Sequence, residues 1–301
     1  MLEERPPLMI PNDKQSSRAP AIAPPPAPPL GAPTPTKEPG FNPSWRRGVL
    51  EVGAALGLLF VLGGLITFTG GRLAATLTPI LPIKMDIALG KAASEQAQLE
   101  QEECTNPAAK KYVEEIASYL LALEKDPPFE FSFRVINEPS VNATALPGGY
   151  VTVHSGLLEA AMSGEEVAGV LAHELEHARA RHGTRRILSS LGGRAALALI
   201  LGGTDLHSYG QWGGGLAELS YGRDQEAEAD ELGLALLLQA GINPSGFSVL
   251  FERLAQEGLR PPEFLSTHPD PGERAARARK SVPVGVSYRK LPSPQGITCS
   301  L

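Results

Sequence analysis

No C-x-x-C pair occurs anywhere in this sequence, so neither of its two cysteines has the spacing of a metal-binding thiolate pair. Cys104 and Cys299 stand at opposite ends of what reads as the globular body. In an exported domain they would invite an intrachain disulfide that pins the tail to the core, the alternative being two unrelated thiols. A basic excess is missing too. The net charge of -6 gives no reason to expect nucleic acid as a partner. Apolar residues are scarce in the opening 45 residues, where 13 of the 28 prolines lie before Ser44. That segment cannot bury a core and reads as a disordered or polyproline-like tether, with a proline-rich docking peptide as the alternative.

One long apolar run follows it. The 20 residues Val52 to Gly71 carry no charge, enough at about 1.5 Å per residue to cross a hydrocarbon core of about 30 Å. Six glycines in the run weaken a soluble helix more than a membrane one, and no small-residue cleavage site follows. A single span over residues 46–72 is expected. Arg46 and Arg47 ahead of it weakly favour a cytoplasmic N-terminus and an exported body. Gly53 and Gly57 form a small-x-x-x-small pair, which serves helix packing or dimerisation.

Beyond a linker at residues 73–103, the pattern becomes that of a folded domain at residues 104–280, with a tail at 281–301. Helical spacing predicts an amphipathic helix over Ala108–Lys125, and alternation predicts a strand over Phe129–Ile136. A second strand, "YVTVHSG", follows the Pro147-Gly148-Gly149 turn and is expected to be the first one's hairpin partner or neighbour. Ser163 and Glu166 have the spacing of a capping box and open a further helix. Helical pattern returns in "AEADELGLALLLQAG" and "GFSVLFERLAQEG". The fold class is α+β, mainly helical with a small β-sheet, preceded by one transmembrane helix. The apolar run Ala195–Leu201 is too short to span a membrane. The glycine-rich stretch from Ala195 to Gly215 is expected to be a gating lid.

The chemistry sits in "VLAHELEHARARHG". His173 and His177, four apart, share one face of a helix and can place two imidazoles on one metal ion, with Glu174 beside them. Zinc bound there would lower the pKa of its water, and Glu174 would take the proton as general base and pass it to a leaving amine. A solvated helix face is the bland alternative. Against it, Val167, Val170 and Leu171 precede the motif, so the helix is partly buried, where an unpartnered histidine pair is costly. The third ligand is not the metzincin one, since Ala180 and Gly183 stand where that pattern needs glycine and histidine, and His182 is one residue out of register. In "SYGRDQEAEAD", Glu226 is the better candidate, with Asp230 on the same face to orient a ligating imidazole and Glu228 as the spare. An acidic helix start would also account for these three. His182 packs or hydrogen-bonds near the helix end in this reading, and His154 and His207 are ordinary.

At this point four ordered motifs resemble those of the HtpX-like gluzincin metallopeptidases, a family that includes the CAAX prenyl proteases and the periplasmic assembly-enhancing proteases. The motifs are H-E-L-E-H at 173–177, R-x-x-E-x-x-A-D at 223–230, "VNATALPGGYVTVHSGLL" at 141–158 and "STHPDPGERAAR" at 266–277. The resemblance implies His173, His177 and Glu226 as ligands of one Zn2+ per chain, Glu174 as general base and Asp230 behind a ligating histidine. It implies that Asn142, Ala143, Thr144, Ala145, Leu146 and Pro147 form an edge strand onto which an extended substrate adds. The family usually carries an aromatic residue where Thr144 stands and a serine where Gly222 stands. Arg274 would stabilise the oxyanion at the scissile carbonyl. His268 would approach the zinc's open position and hold the enzyme latent, or else is a surface residue in a His-Pro turn. Asn142 also opens a glycosylation sequon, which carries little weight beside the strand role.

The expectation is therefore a zinc metalloendopeptidase anchored in a bacterial inner membrane with its body in the periplasm. Its substrates would be unfolded or misassembled envelope polypeptides. One span does not build the membrane chamber a prenyl protease uses. A non-enzymatic chaperone on a protease fold, and a scaffold working through the proline-rich head, remain open alternatives.

Overall fold

The computed structural model describes residues 48–58, 61, 76, 78–122, 124–190, 221–256, 268, 283 and 285–299. The chain divides into two compact units, residues 1–54 and 55–301. Residues 48–58 and 61 are helical, with Val49, Leu50, Val52, Leu56, Leu58 and Val61 exposed. Residues 46, 47, 59, 60 and 62–72 of the expected span lie outside the described residues. Among the described residues no helix is long and apolar enough to cross a membrane. The expected lid over 195–215 also lies outside them.

The body is built around one helix. α1 is Ile83–Glu100, α2 Pro107–Leu121, α3 Ser155–Ala160, α4 Gly164–Arg179, α5 Arg223–Gln239 and α6 Ser245–Gln256. In α4, 14 of 16 residues are buried, which makes it a central core helix with neighbours on every side. Its apolar positions, Val167, Val170, Leu171 and Leu175, join a cluster that takes in Val113, Ile116 and Leu120 of α2 and Leu250 and Leu254 of α6. Ser163 caps α4 by accepting from the Glu166 N–H, at 3.3 Å. The other half of the expected box is absent. Glu166 instead accepts from the Met162 N–H at 3.1 Å and pairs with Arg253 at 2.8 Å. α5 crosses α4 at Gly233, where a Cβ would meet the His173 backbone nitrogen at 3.2 Å. That close approach brings the acidic start of α5 over the two histidines of α4.

Among the described residues the sheet has three strands, β1 Ser132–Ile136, β2 Ala143–Leu146 and β3 Tyr150–His154, in the order β1-β3-β2. β3 is β1's parallel neighbour and β2's antiparallel partner, so the hairpin is the one between β2 and β3. β2 is an edge. The His154 N–H donates to the Asn142 carbonyl at 3.0 Å, which makes Asn142–His154 a hydrogen-bonded pair. By alternation the N–H and C=O groups of Ala143 and Ala145 then face away from β3.

Two further pieces close around this core. The stretch read as a linker, 73–103, holds α1, which packs on the Pro147–Gly149 turn that ends β2. The contact is backbone to backbone: a Cβ on Gly90 would lie 1.7 Å from the Pro147 carbonyl oxygen. Gly148, at φ 72°, faces the Ile87 Cα in the same way. Gly90→Ala is therefore expected to push α1 off the turn and lower stability by about 1–3 kcal/mol or more, which urea unfolding measures. Asp86, 1% exposed, anchors the same helix by accepting from Arg181 Nε at 3.1 Å and from the Thr184 hydroxyl. At the other end, the tail lies along α2 and the start of α4. Pro292 accepts from the Tyr112 hydroxyl at 2.9 Å, and the Leu291 N–H donates to Glu165 at 3.2 Å. Cys104 and Cys299 are joined by a disulfide.

Candidate metal centre

His173, His177, Glu226 and His268 each offer one ligand atom, and the four atoms lie within 4.8 Å of one another. All four residues are buried, His177 completely. α4 supplies the two histidines from successive turns of one face, and α5 supplies Glu226 from its first turn. His173 Nε2 and His177 Nε2 face each other at 2.9 Å. Glu226 places Oε2 at 3.5 Å from the first and Oε1 at 3.4 Å from the second. His268 Nδ1 is 2.9 Å from Glu226 Oε1 and 3.2 Å from His173 Nε2.

The outer nitrogens of the two α4 histidines define what the inner ones can do. His173 Nδ1 meets Asp230 Oδ1 at 3.1 Å, so its proton belongs there and its Nε2 carries a lone pair. His177 Nδ1 meets His182 Nδ1 at 2.9 Å. Two imidazole lone pairs and a carboxylate then converge on one buried point, a donor set that suits Zn2+. Burial drives the His177 pKa well below its ordinary value, with the nearby His173 adding to the effect, so the ring is neutral and able to ligate. Burial alone would raise the Glu226 carboxyl. Hydrogen bonding to His173, His177 and His268 outweighs it and holds the group well below the usual carboxylate range.

Glu174 sits outside this group and beside it. Its Oε2 accepts from the outward Ala145 N–H of β2 at 2.9 Å, and its Oε1 lies 3.3 Å from His268 Nε2. The Ala143 N–H on the same edge is taken by its own neighbour's Asn142 Oδ1 at 2.9 Å. Glu228, the spare ligand, points elsewhere, with Oε2 at 3.3 Å from His182 Nε2. His268 is 1% exposed and inside the cluster, not on the surface. His154 accepts or donates to Ser140 Oγ at 2.7 Å, away from the centre. Thr144, Leu146 and Pro147 complete the strand and its turn. Arg274 and His207 lie outside the described residues.

Tyr221 is the site residue that sequence reasoning missed. It is buried in the centre, its ring stacked on His177 at 3.9 Å between centroids, and its hydroxyl lies 3.5 Å from the Ala145 carbonyl. Arg186 also lies over that ring, with Cζ 4.1 Å from the centroid. The tyrosine stands five residues before Glu226, but no spacing rule ties an aromatic there to the α4 histidines.

Known proteins similar to this chain are proteases. A putative beta-barrel assembly-enhancing protease of Vibrio cholerae is 31% identical over 215 residues, 66% of this chain and 44% of that one. The mitochondrial metalloendopeptidase OMA1 of Schizosaccharomyces pombe is 33% identical over 180 residues, 57% of this chain and 52% of that one. The metalloprotease LoiP of Escherichia coli is 30% identical over 199 residues, 63% of this chain and 79% of that one. The chain thus spans about half the length of the first two. Residues 104–282 match the description "Peptidase family M48", whose members are zinc-dependent, and they include each of the four converging donors. With that match running over more than half its length, the chain belongs to peptidase family M48.

Proposed function

We propose that this chain is a zinc metalloendopeptidase in which His173, His177 and Glu226 hold the metal and Glu174 is the general base. The observation that supports it best is the position of Glu174, whose carboxylate touches both the outward edge of β2, at 2.9 Å, and the cluster of metal donors. Bound zinc would lower the pKa of a water and polarise a carbonyl. The chain's own residues supply the rest. An extended polypeptide adds to the outward edge of β2, taking over the Ala143 and Ala145 N–H groups from which Asn142 Oδ1 and Glu174 Oε2 now accept, and this lays its backbone across Glu174. Glu174 takes the proton of the attacking water and returns it to the leaving amine. Asp230 fixes the His173 ring so that Nε2 faces inward.

In this reading the structure is a resting state. His268 bridges Glu226 and Glu174 with its two ring nitrogens, at 2.9 Å and 3.3 Å, and fills the space a substrate carbonyl needs. It must withdraw before Glu174 can act. Arg274, six residues further along in the same motif, is proposed as the oxyanion partner on the resemblance alone.

We further propose a membrane-anchored enzyme of the bacterial envelope acting on unfolded or misassembled proteins. The assembly-enhancing names of the relatives, the disulfide and the exposed apolar side chains of residues 49–58 support that placement. Metal analysis of the full chain tests the centre. About one zinc per chain is expected in the wild type and loss of it in Glu226→Gln, because the amide removes the one carboxylate of the proposed His2Glu set. Full zinc in the variant would show that another residue is the third ligand.

A further inference from the structure

His173 and His177 are held from behind in two different ways. His173 leans on a carboxylate, Asp230, directly. His177 leans on another imidazole. Its Nδ1 is 2.9 Å from His182 Nδ1, and His182 Nε2 is 3.3 Å from Glu228 Oε2. His182 is 1% exposed, whereas the Glu228 side chain is 54% exposed.

The protons on this chain of groups have one consistent arrangement. For His177 to present an Nε2 lone pair to a cation, its single proton must sit on Nδ1 and be donated outward. The acceptor there is His182 Nδ1, which must then be bare, so the proton of His182 sits on Nε2 and is donated to Glu228. Reversing the His182 tautomer would set two N–H groups face to face, and reversing that of His177 would set two bare nitrogens face to face and turn an N–H toward the cation, each at a cost of about 1–3 kcal/mol. The contact depends on the end of α4. A residue five positions on lies well around a continuing helix, away from His177. Here α4 stops at Arg179 and Arg181 adopts φ 59°, which turns the chain so that His182 comes back under His177.

We propose that His182, backed by Glu228, is the positioning residue of His177, fixing its tautomer and ring so that Nε2 is available to zinc. This rests on reading His173, His177 and Glu226 as the ligands. His182 is not itself a ligand, because it stands outside the converging group and spends Nδ1 on His177.

The test is zinc affinity of the full chain, measured by competition with a chromophoric chelator, together with thermal melting of the metal-free protein. His182→Leu removes the acceptor and is expected to weaken zinc binding 10- to 100-fold. His182→Gln, whose amide oxygen can accept from His177 Nδ1, should recover most of that loss. A residue that merely filled space would not show this rescue. Glu228→Ala should weaken zinc binding on the order of tenfold while leaving metal-free melting unchanged, since its side chain is half exposed. It also decides the matter should His182→Leu fail to fold. Wild-type affinity in both Glu228→Ala and a folded His182→Leu would overturn the proposal and leave the ligand assignment intact. A wild type that binds no zinc would overturn the assignment beneath it, and the proposal with it.

Discussion

Serine at both Cys104 and Cys299 lowers the stability of the body by up to about 5 kcal/mol, the chain-entropy value for a loop of this size. The bridge spans 195 residues of sequence, and nearly every element of the body lies inside the loop it closes. It also sets the end of the tail where other bonds form. The Thr105 hydroxyl donates to the Cys299 carbonyl at 2.8 Å, and the Asn106 amide donates to the Thr298 carbonyl at 2.8 Å. Asn106 caps α2 as well, by accepting from the Ala108 N–H. Losing the bridge should therefore fray the start of α2 together with the tail. Urea unfolding with and without a reductant measures the effect. An unchanged midpoint would mean that tail packing through Leu291 and Pro292 suffices on its own. Zinc content should not change, since the bridge touches none of the four metal donors.

Glu174→Gln is expected to keep its zinc and to lose proteolysis by about 10²–10⁴-fold, the usual contribution of a general base. The substitution is close to neutral for the structure. A glutamine Oε1 can still accept from the Ala145 N–H, so β2 keeps its position against α4. What the amide cannot do is accept the proton of an attacking water. Cleavage of an unfolded reporter protein, measured beside metal content, separates chemistry from folding. Retained cleavage would move the base elsewhere. Retained biological function without cleavage would favour a chaperone on this fold.

Much of the centre was legible because it is local. The i,i+4 spacing of His173 and His177 is a property of any helix, and the same is true of Glu226 and Asp230. The resemblance then supplied the long jump from α4 to α5. The contacts that were not legible depend on where elements end and how they stack. His182 meets His177 because Arg181 takes a left-handed φ, which no spacing announces. Tyr221 reaches its stack through the crossing of α5 over α4. Alternation marked β3 as a strand but could not say that it runs parallel to β1 and sits at the centre of the sheet. That order buries Ala143, Ala145, Val151 and Val153 together in the core they share with α4.

The family match begins at residue 104, yet α1, at 83–100, is fitted into the machinery at two points. Its backbone rests on the Pro147–Gly149 turn, and its Asp86 carboxylate receives Arg181, the residue that turns the chain toward His182. A fragment cut at the family boundary would thus lose the wall beneath the turn that ends β2 and leave the largely buried Arg181 guanidinium without its Asp86 partner. A piece that keeps the β2 turn supported is therefore expected to be longer than the family match, reaching forward at least to Leu81, whose carbonyl accepts from Arg181 at 2.9 Å.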